Sequence, residues 1–206
     1  MTTLKKKDNL KPSHININGH DIVLYNIKNS TVKINCFIKN GFTYENTDNL
    51  GISHLLEHVL TNAWKKCNYK ECALYWSKYG VYYNAFTSLD GVNYLIQGMN
   101  KYMDDMLEYI VTIVNKPFFL SANLSNEKQA VTTELLTSIN NKQYELYNSF
   151  YRNYYNKIGL QNANNSKLQL KNLKKFTTKD ITNWYNKYYN KYLFFIVGDF
   201  NRNKVV

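Results

Sequence analysis

Cysteine is scarce, and its spacing carries no framework. Cys36, Cys67 and Cys72 form an odd set without a C-x-x-C pair. That excludes the disulfide scaffold of small secreted domains and the zinc ribbon, and it fits a reducing compartment. Long apolar runs are absent too, so no helical membrane span is expected. The N-terminus, Met1-Thr-Thr-Leu-Lys-Lys-Lys-Asp8, lacks the apolar stretch of a secretory signal. Its early aspartate and lack of arginine make it a poor mitochondrial presequence. The expected location is cytoplasmic. Acidic residues are few, 15 against 26 basic, for a net charge of +11. Such a balance favours acidic partners, but the lysines are scattered and the longest run is Lys5-Lys6-Lys7. With no recognised nucleic-acid motif, no nucleic-acid partner is expected. Proline, present twice, is outweighed by asparagine, lysine and tyrosine; that pattern reflects AT-rich coding and not function.

What is present suffices for one domain. The chain has 206 residues, 44% of them hydrophobic, enough for an ordinary core. Residues 1–12 read as a flexible N-terminal segment. His14 to Asn18 alternates as a strand, Asn18-Gly19 is a hairpin signal, and Ile22–Ile27 and Thr31–Ile38 follow as strands. The opening therefore predicts an antiparallel meander. Helices are predicted over Ile52–Ala63 and over Tyr69–Tyr79, the latter closed by Gly80. Strands over Val81–Thr87 and Val92–Gln97 flank the Asp90-Gly91 turn. A helix over Lys101–Asn115 ends before Pro117. Ser125 or Asn126 starts one long helix to Tyr155, Thr178 caps a last helix to Tyr189, and Leu193–Val197 is a short, fully buried strand. The class is α+β, a mainly antiparallel sheet packed against helices.

The chemistry gathers at His54-Leu55-Leu56-Glu57-His58. A four-residue spacing puts both imidazoles on one face of a helix, where they can share a divalent metal, usually zinc. Glu57 borders that face and can deprotonate a water there. This is the H-x-x-E-H order of the inverted zinc motif. The bare pattern also fits a helix with two solvated or otherwise satisfied histidines. A catalytic zinc site needs a third protein ligand. Glu134 is the candidate, with Glu127 two helical turns earlier on the same face. The pair reads either as two solvated acids or as a ligand and a carboxylate that orients one.

Gly51-Ile-Ser-His54-Leu-Leu-Glu57-His58 resembles the active-site segment of the inverted-motif zinc peptidases, the pitrilysin, insulin-degrading enzyme and mitochondrial processing peptidase type. That family takes its third ligand from an E-x6-E pair downstream. Here Glu134 lies 134 − 58 = 76 residues after His58, and 134 − 127 = 7 after Glu127. The family's Asn-Ala substrate strand is matched by Asn84-Ala85-Phe-Thr-Ser, and its closing Val-Gly-Asp by Val197-Gly198-Asp199.

The resemblance implies a zinc endopeptidase domain over residues 13–206, holding one Zn2+ through His54, His58 and Glu134. It implies Glu57 as catalytic base and Glu127 as the carboxylate behind a ligand. Asn84 and Ala85 would bind peptide substrate as an added strand, although Asn84 also reads as a plain strand residue. Family members enclose substrate with a second homologous domain or subunit. That covering half is expected to be absent from this chain, which would then be a fragment, one subunit of a pair or a minimal homologue. A zinc-binding but inactive homologue with a structural or assembly role stays open beside the peptidase.

Overall fold

The computed structural model describes residues 11–61, 64, 69–115, 121–155 and 165–205. The readings made for residues 1–10, Ala63, Cys67 and Pro117 lie outside them. The strands are β1 (Ser13–Ile17), β2 (His20–Asn26), β3 (Thr31–Ile38), β4 (Tyr82–Thr87), β5 (Val92–Met99) and β6 (Leu193–Gly198). The helices are α1 (Ile52–Thr61), α2 (Tyr69–Lys78), α3 (Met103–Asn115), α4 (Ser121–Ile139), α5 (Lys142–Tyr155), α6 (Ser166–Leu173) and α7 (Thr178–Tyr188). All six strands form one sheet in the order β1-β2-β6-β3-β5-β4. Only the β2–β6 pair is parallel. The α+β class holds.

The opening is a hairpin rather than a three-stranded meander. Asn18 and Gly19 both take positive φ, 51° and 87°, and turn β1 directly into β2. β3 does not pair with β2: β6 lies between them, parallel to β2 and antiparallel to β3. Ile196 stands opposite both Leu24 and Ile34, and all three are buried. Alternation tells which face of a strand is inward; it does not name the neighbour. β6 was expected to be buried on both faces. Phe194 and Ile196 are, but Phe195 and Val197 stay 38% and 37% exposed.

The helical half departs in one place. The run read as one helix to Tyr155 is two, broken at Asn140-Asn141. The Asn141 carboxamide oxygen accepts from the Gln143 and Tyr144 N–H groups and starts α5. Ser125 and Asn126 are interior residues of α4, which begins at Ser121. α6, not anticipated, is capped by Asn165, whose side chain accepts from Leu168 N–H. Thr177, one residue earlier than expected, caps α7 in a reciprocal pair with Asp180. At the end of α2, Gly80 N–H bonds Ser77 and Val81 N–H bonds Trp76, the two bonds of a Schellman close. Cys36 is a buried free thiol. No helix among the described residues is long and apolar enough to cross a membrane.

The core lies where β3 and β5 turn Val32, Ile34, Ile38, Val92, Tyr94 and Ile96 toward the helices. α1 and α3 pack on this part of the sheet, and α1 also meets α4 and α7. The β4–β5 turn is seated by two glycines. A Cβ on Gly41 would lie 2.4 Å from the Ser88 and Leu89 carbonyl oxygens, and one on Gly91 would lie 2.3 Å from the Phe37 ring. Both contacts are too close for any side chain, and Phe42 and Thr43 N–H donate to the same Ser88 and Leu89 carbonyls. Gly41→Ala should therefore destabilise the chain by about 1–3 kcal/mol. A lower urea midpoint at unchanged slope is the expected result.

Candidate metal centre

Helix α1 is held at its N-terminus by four surrounding pieces of chain. The first free N–H groups of a helix need acceptors. Here one carboxylate supplies both: Glu45 accepts from Gly51 N–H at 2.7 Å and Ser53 N–H at 2.8 Å. Gly51, at φ 96°, is boxed by Gln169 of α6, so glycine suits both its backbone and its space. From α6, Asn172 donates to the carbonyls of Thr47 and Leu50. Behind the helix, Asn40 accepts from Ser53 Oγ and from the Trp184 indole N–H, all three groups buried. Leu55, Leu56 and Leu60 are wholly buried and fix the rotation of α1 about its axis.

With that face down, His54 and His58 project toward α4, ring centroids 5.0 Å apart. Val131 and Leu135 anchor α4 and turn Glu127 and Glu134 back toward them. One oxygen of Glu134, Oε2, lies 3.4 Å from His54 Nε2 and 3.3 Å from His58 Nε2. Glu127 Oε2 lies 3.6 Å from Nδ1, the other nitrogen of His58. Glu127 is buried, while the Glu134 side chain is 55% exposed. Glu57, only 6% exposed, accepts a 2.8 Å hydrogen bond from the Thr87 hydroxyl at the end of β4. Asn84 and Ala85 sit on β4, an edge strand whose Tyr82 and Phe86 side chains are exposed. The Asn84 side-chain oxygen accepts from Ala85 N–H at 2.9 Å.

The electrostatics follow from this crowding. Burial raises Glu57 above the ordinary carboxylate range, and the two histidines only partly oppose it. Burial also works against a charged His58, but Glu127 and Glu134 outweigh it and push the imidazole up to about 10. Hydrogen bonds from His54 and His58 hold Glu134 well below its usual range. Three carboxylates thus converge on two imidazoles, a donor set that attracts positive charge.

The residues fit zinc. One candidate atom from each of His54, His58 and Glu134 comes within 4.8 Å of the others. Bonds of about 2.1 Å from a tetrahedral zinc set neighbouring ligands about 3.4 Å apart. Both measured nitrogen–oxygen separations match that edge. The structure thus gathers the residues singled out from sequence: His54, His58 and Glu134 at one point, Glu127 and Glu57 beside them. Sequence reasoning passed over Glu45, Asn172 and Thr87. An acid just ahead of a predicted helix was the available signal for Glu45. Thr87 shares strand parity with Tyr83 and Ala85, which puts it on their side of the sheet.

The chain is similar to known proteins. The model of the family described as "Insulinase (Peptidase family M16)" matches residues 22–166. An uncharacterized zinc protease of Rickettsia felis is 27% identical over 206 residues, which are 97% of this chain and 48% of that protein. The rat mitochondrial-processing peptidase subunit beta is 23% identical over 84% of this chain and 35% of its own length. Among solved structures, a Helicobacter pylori protease superposes with a TM-score of 0.80 at 22% identity, covering 95% of this chain and 48% of that one. A putative M16-like peptidase from Alicyclobacillus acidocaldarius gives 0.81 at 14% identity, over 98% of this chain and 49% of that one. At these identities the structures speak for the fold. The chain spans half or less of the length of these relatives.

Glu45 yields a test that needs no metal. Burial lifts its folded pKa to about 7 from the ordinary carboxylate value of 4.5, against the opposing pull of the Gly51 and Ser53 bonds. Between those two values the folded chain keeps a proton that the unfolded chain has released. Stability therefore falls as pH rises across that window. Glu45→Gln keeps an acceptor but cannot ionise. Urea midpoints measured from pH 4.5 to about 8 should decline less steeply for this variant than for wild type.

Proposed function

Because the chain belongs to the insulinase family of peptidases, M16, we propose that it carries the metal centre of a zinc endopeptidase. The observation that supports this most directly is the junction of His54, His58 and Glu134 around one carboxylate oxygen, at the spacing zinc requires. His54, His58 and Glu134 are the proposed ligands. A bound zinc supplies Lewis acidity toward the scissile carbonyl and brings the pKa of water down to about 7. The rest is work for side chains. Glu57 is the proposed general base: its carboxylate takes the proton of the attacking water and returns it to the leaving amine. Its burial keeps that basicity high. Glu127 is proposed to orient His58 through its carboxylate, 3.6 Å from Nδ1, which leaves Nε2 to the metal.

Substrate binding is assigned to β4. An extended peptide can add to a sheet edge through main-chain bonds. The Ala85 N–H, occupied by the Asn84 side chain in the free protein, would exchange that oxygen for a substrate carbonyl and release the Asn84 carboxamide to the peptide. The proposed partner is a second homologous domain or subunit, since relatives are about twice as long as the matched region. Covering the site would exclude water and hold the peptide near attack geometry.

Elemental analysis after zinc reconstitution should find about one zinc per chain. His58→Ala and Glu134→Ala should lose it, whereas Glu57→Gln should keep zinc and abolish cleavage of a peptide library. Glu127→Gln should weaken zinc binding by roughly 10–100-fold. Wild-type protein free of zinc under these conditions would refute the proposed centre. A second expectation concerns the partner. A strictly monomeric preparation should cleave peptides slowly, and adding the complementary half should raise turnover by about two orders of magnitude or more. Fast, Glu57-dependent turnover by the monomer alone would remove the need for a covering half.

A further inference from the structure

We propose that Thr87 is the positioning residue of Glu57, and that it ties the proton-transferring carboxylate to the strand that receives substrate. The inference rests on the zinc-peptidase reading above but invokes a residue outside it. The Thr87 hydroxyl donates to Glu57 Oε2 at 2.8 Å, and among the described residues it is the hydrogen-bond partner of that carboxylate. A hydroxyl offers a single proton, so it fixes Oε2, and Oε1 is the oxygen proposed for the attacking water.

A glutamate on a helix has three side-chain torsions to fix before it is useful. Burial restrains the stem of Glu57; it does not choose which oxygen faces out. A single directed donor does choose. Thr87 is well placed for this, because a β-branched side chain has little freedom at χ1. Its backbone is equally constrained. It pairs with Val92 as the last rung of β4–β5. The turn beyond is locked by Ser88 N–H to Gly91 O and Ser88 Oγ to Gly91 O, both 2.8 Å. Two residues before Thr87, on the same face of the strand, is Ala85, the proposed substrate contact. A peptide adding to β4 and a water approaching Glu57 are thus referenced to one short piece of strand. Misplacement by an ångström at such a point is enough to cost about 100-fold in rate.

The test uses the full chain loaded with cobalt(II) in place of zinc, whose visible absorption reports the ligand field and the hydrogen bonding of exchangeable water. Glu57→Gln provides the reference change. Thr87→Val, nearly isosteric but without the hydroxyl, should bind cobalt with wild-type stoichiometry and shift the spectrum in the direction of Glu57→Gln. Thr87→Ser should restore the wild-type spectrum. In the Glu57→Gln background, Thr87→Val should add nothing. In the assembled, zinc-loaded peptidase, Thr87→Val should lower kcat about 10–100-fold with KM changed less than twofold, and Thr87→Ser should recover most of it. A Thr87→Val spectrum identical to wild type, where Glu57→Gln does move it, would overturn the role of Thr87 and leave the metal centre standing. An additive effect in the Glu57→Gln background would reduce Thr87 to a structural residue. Failure of wild type to bind cobalt would overturn both readings.

Discussion

One carboxylate oxygen shared between two imidazoles is the constraint on which the rest depends. Glu134 Oε2 stands within 3.4 Å of both His54 and His58 nitrogens, and its helix is separated from theirs by α2, β4, β5 and α3. An arrangement this tight tolerates little drift of α1 against α4. The surrounding structure supplies the restraint: Glu45 at the helix start, Asn172 on the loop before it, Asn40 and Trp184 behind it, and a row of leucines beneath. Most of these groups are polar and buried, so each is worth more as a directional restraint than as a source of stability. The stability itself comes from the apolar layer between α1, α3 and the sheet.

The legible part of this chain was the part written locally. The i, i+4 histidines fixed a shared face, the seven-residue step fixed the relation of Glu127 to Glu134, and Asn18-Gly19 fixed a turn. The α+β class followed from counting such segments. What stayed hidden was set by distant partners. Nothing in Leu193–Val197 says that it belongs between β2 and β3, because an apolar strand reads the same at any place in a sheet. The break at Asn140-Asn141 was hidden because asparagine is tolerated inside helices as well as at their caps, and periodic apolar residues continue on both sides. Glu45 and Thr87 were missed for a similar reason. Each acts on a backbone or carboxylate brought to it by the fold, eight residues away in one case and thirty in the other.

The substrate edge proposed at β4 would stay usable without inviting unwanted pairing. Exposed strand edges recruit other strands indiscriminately. Here the Asn84 side chain bonds the Ala85 N–H, so one donor of the edge is occupied until something better arrives. The adjacent Tyr82 and Phe86 side chains stand out from the sheet, giving an incoming chain apolar surface to lie along. A partly capped edge favours a peptide that can replace the asparagine contact over one that merely collides.

The central position of β6 has a consequence for the order in which the protein is made. Residues 13–173 can emerge from a ribosome and form both hairpins, α1 and α4, and so both halves of the candidate metal centre. The sheet is still split then, with β1–β2 on one side and β3–β5–β4 on the other, and no pairing joins them. Only when Leu193–Gly198 inserts do the two pieces become one sheet. Synthesis therefore leaves an interval, about one to five seconds at typical elongation rates of about 5–20 residues per second, in which two apolar strand edges wait for a late arrival. Chaperone dependence and sensitivity to translation pausing would concentrate in that interval.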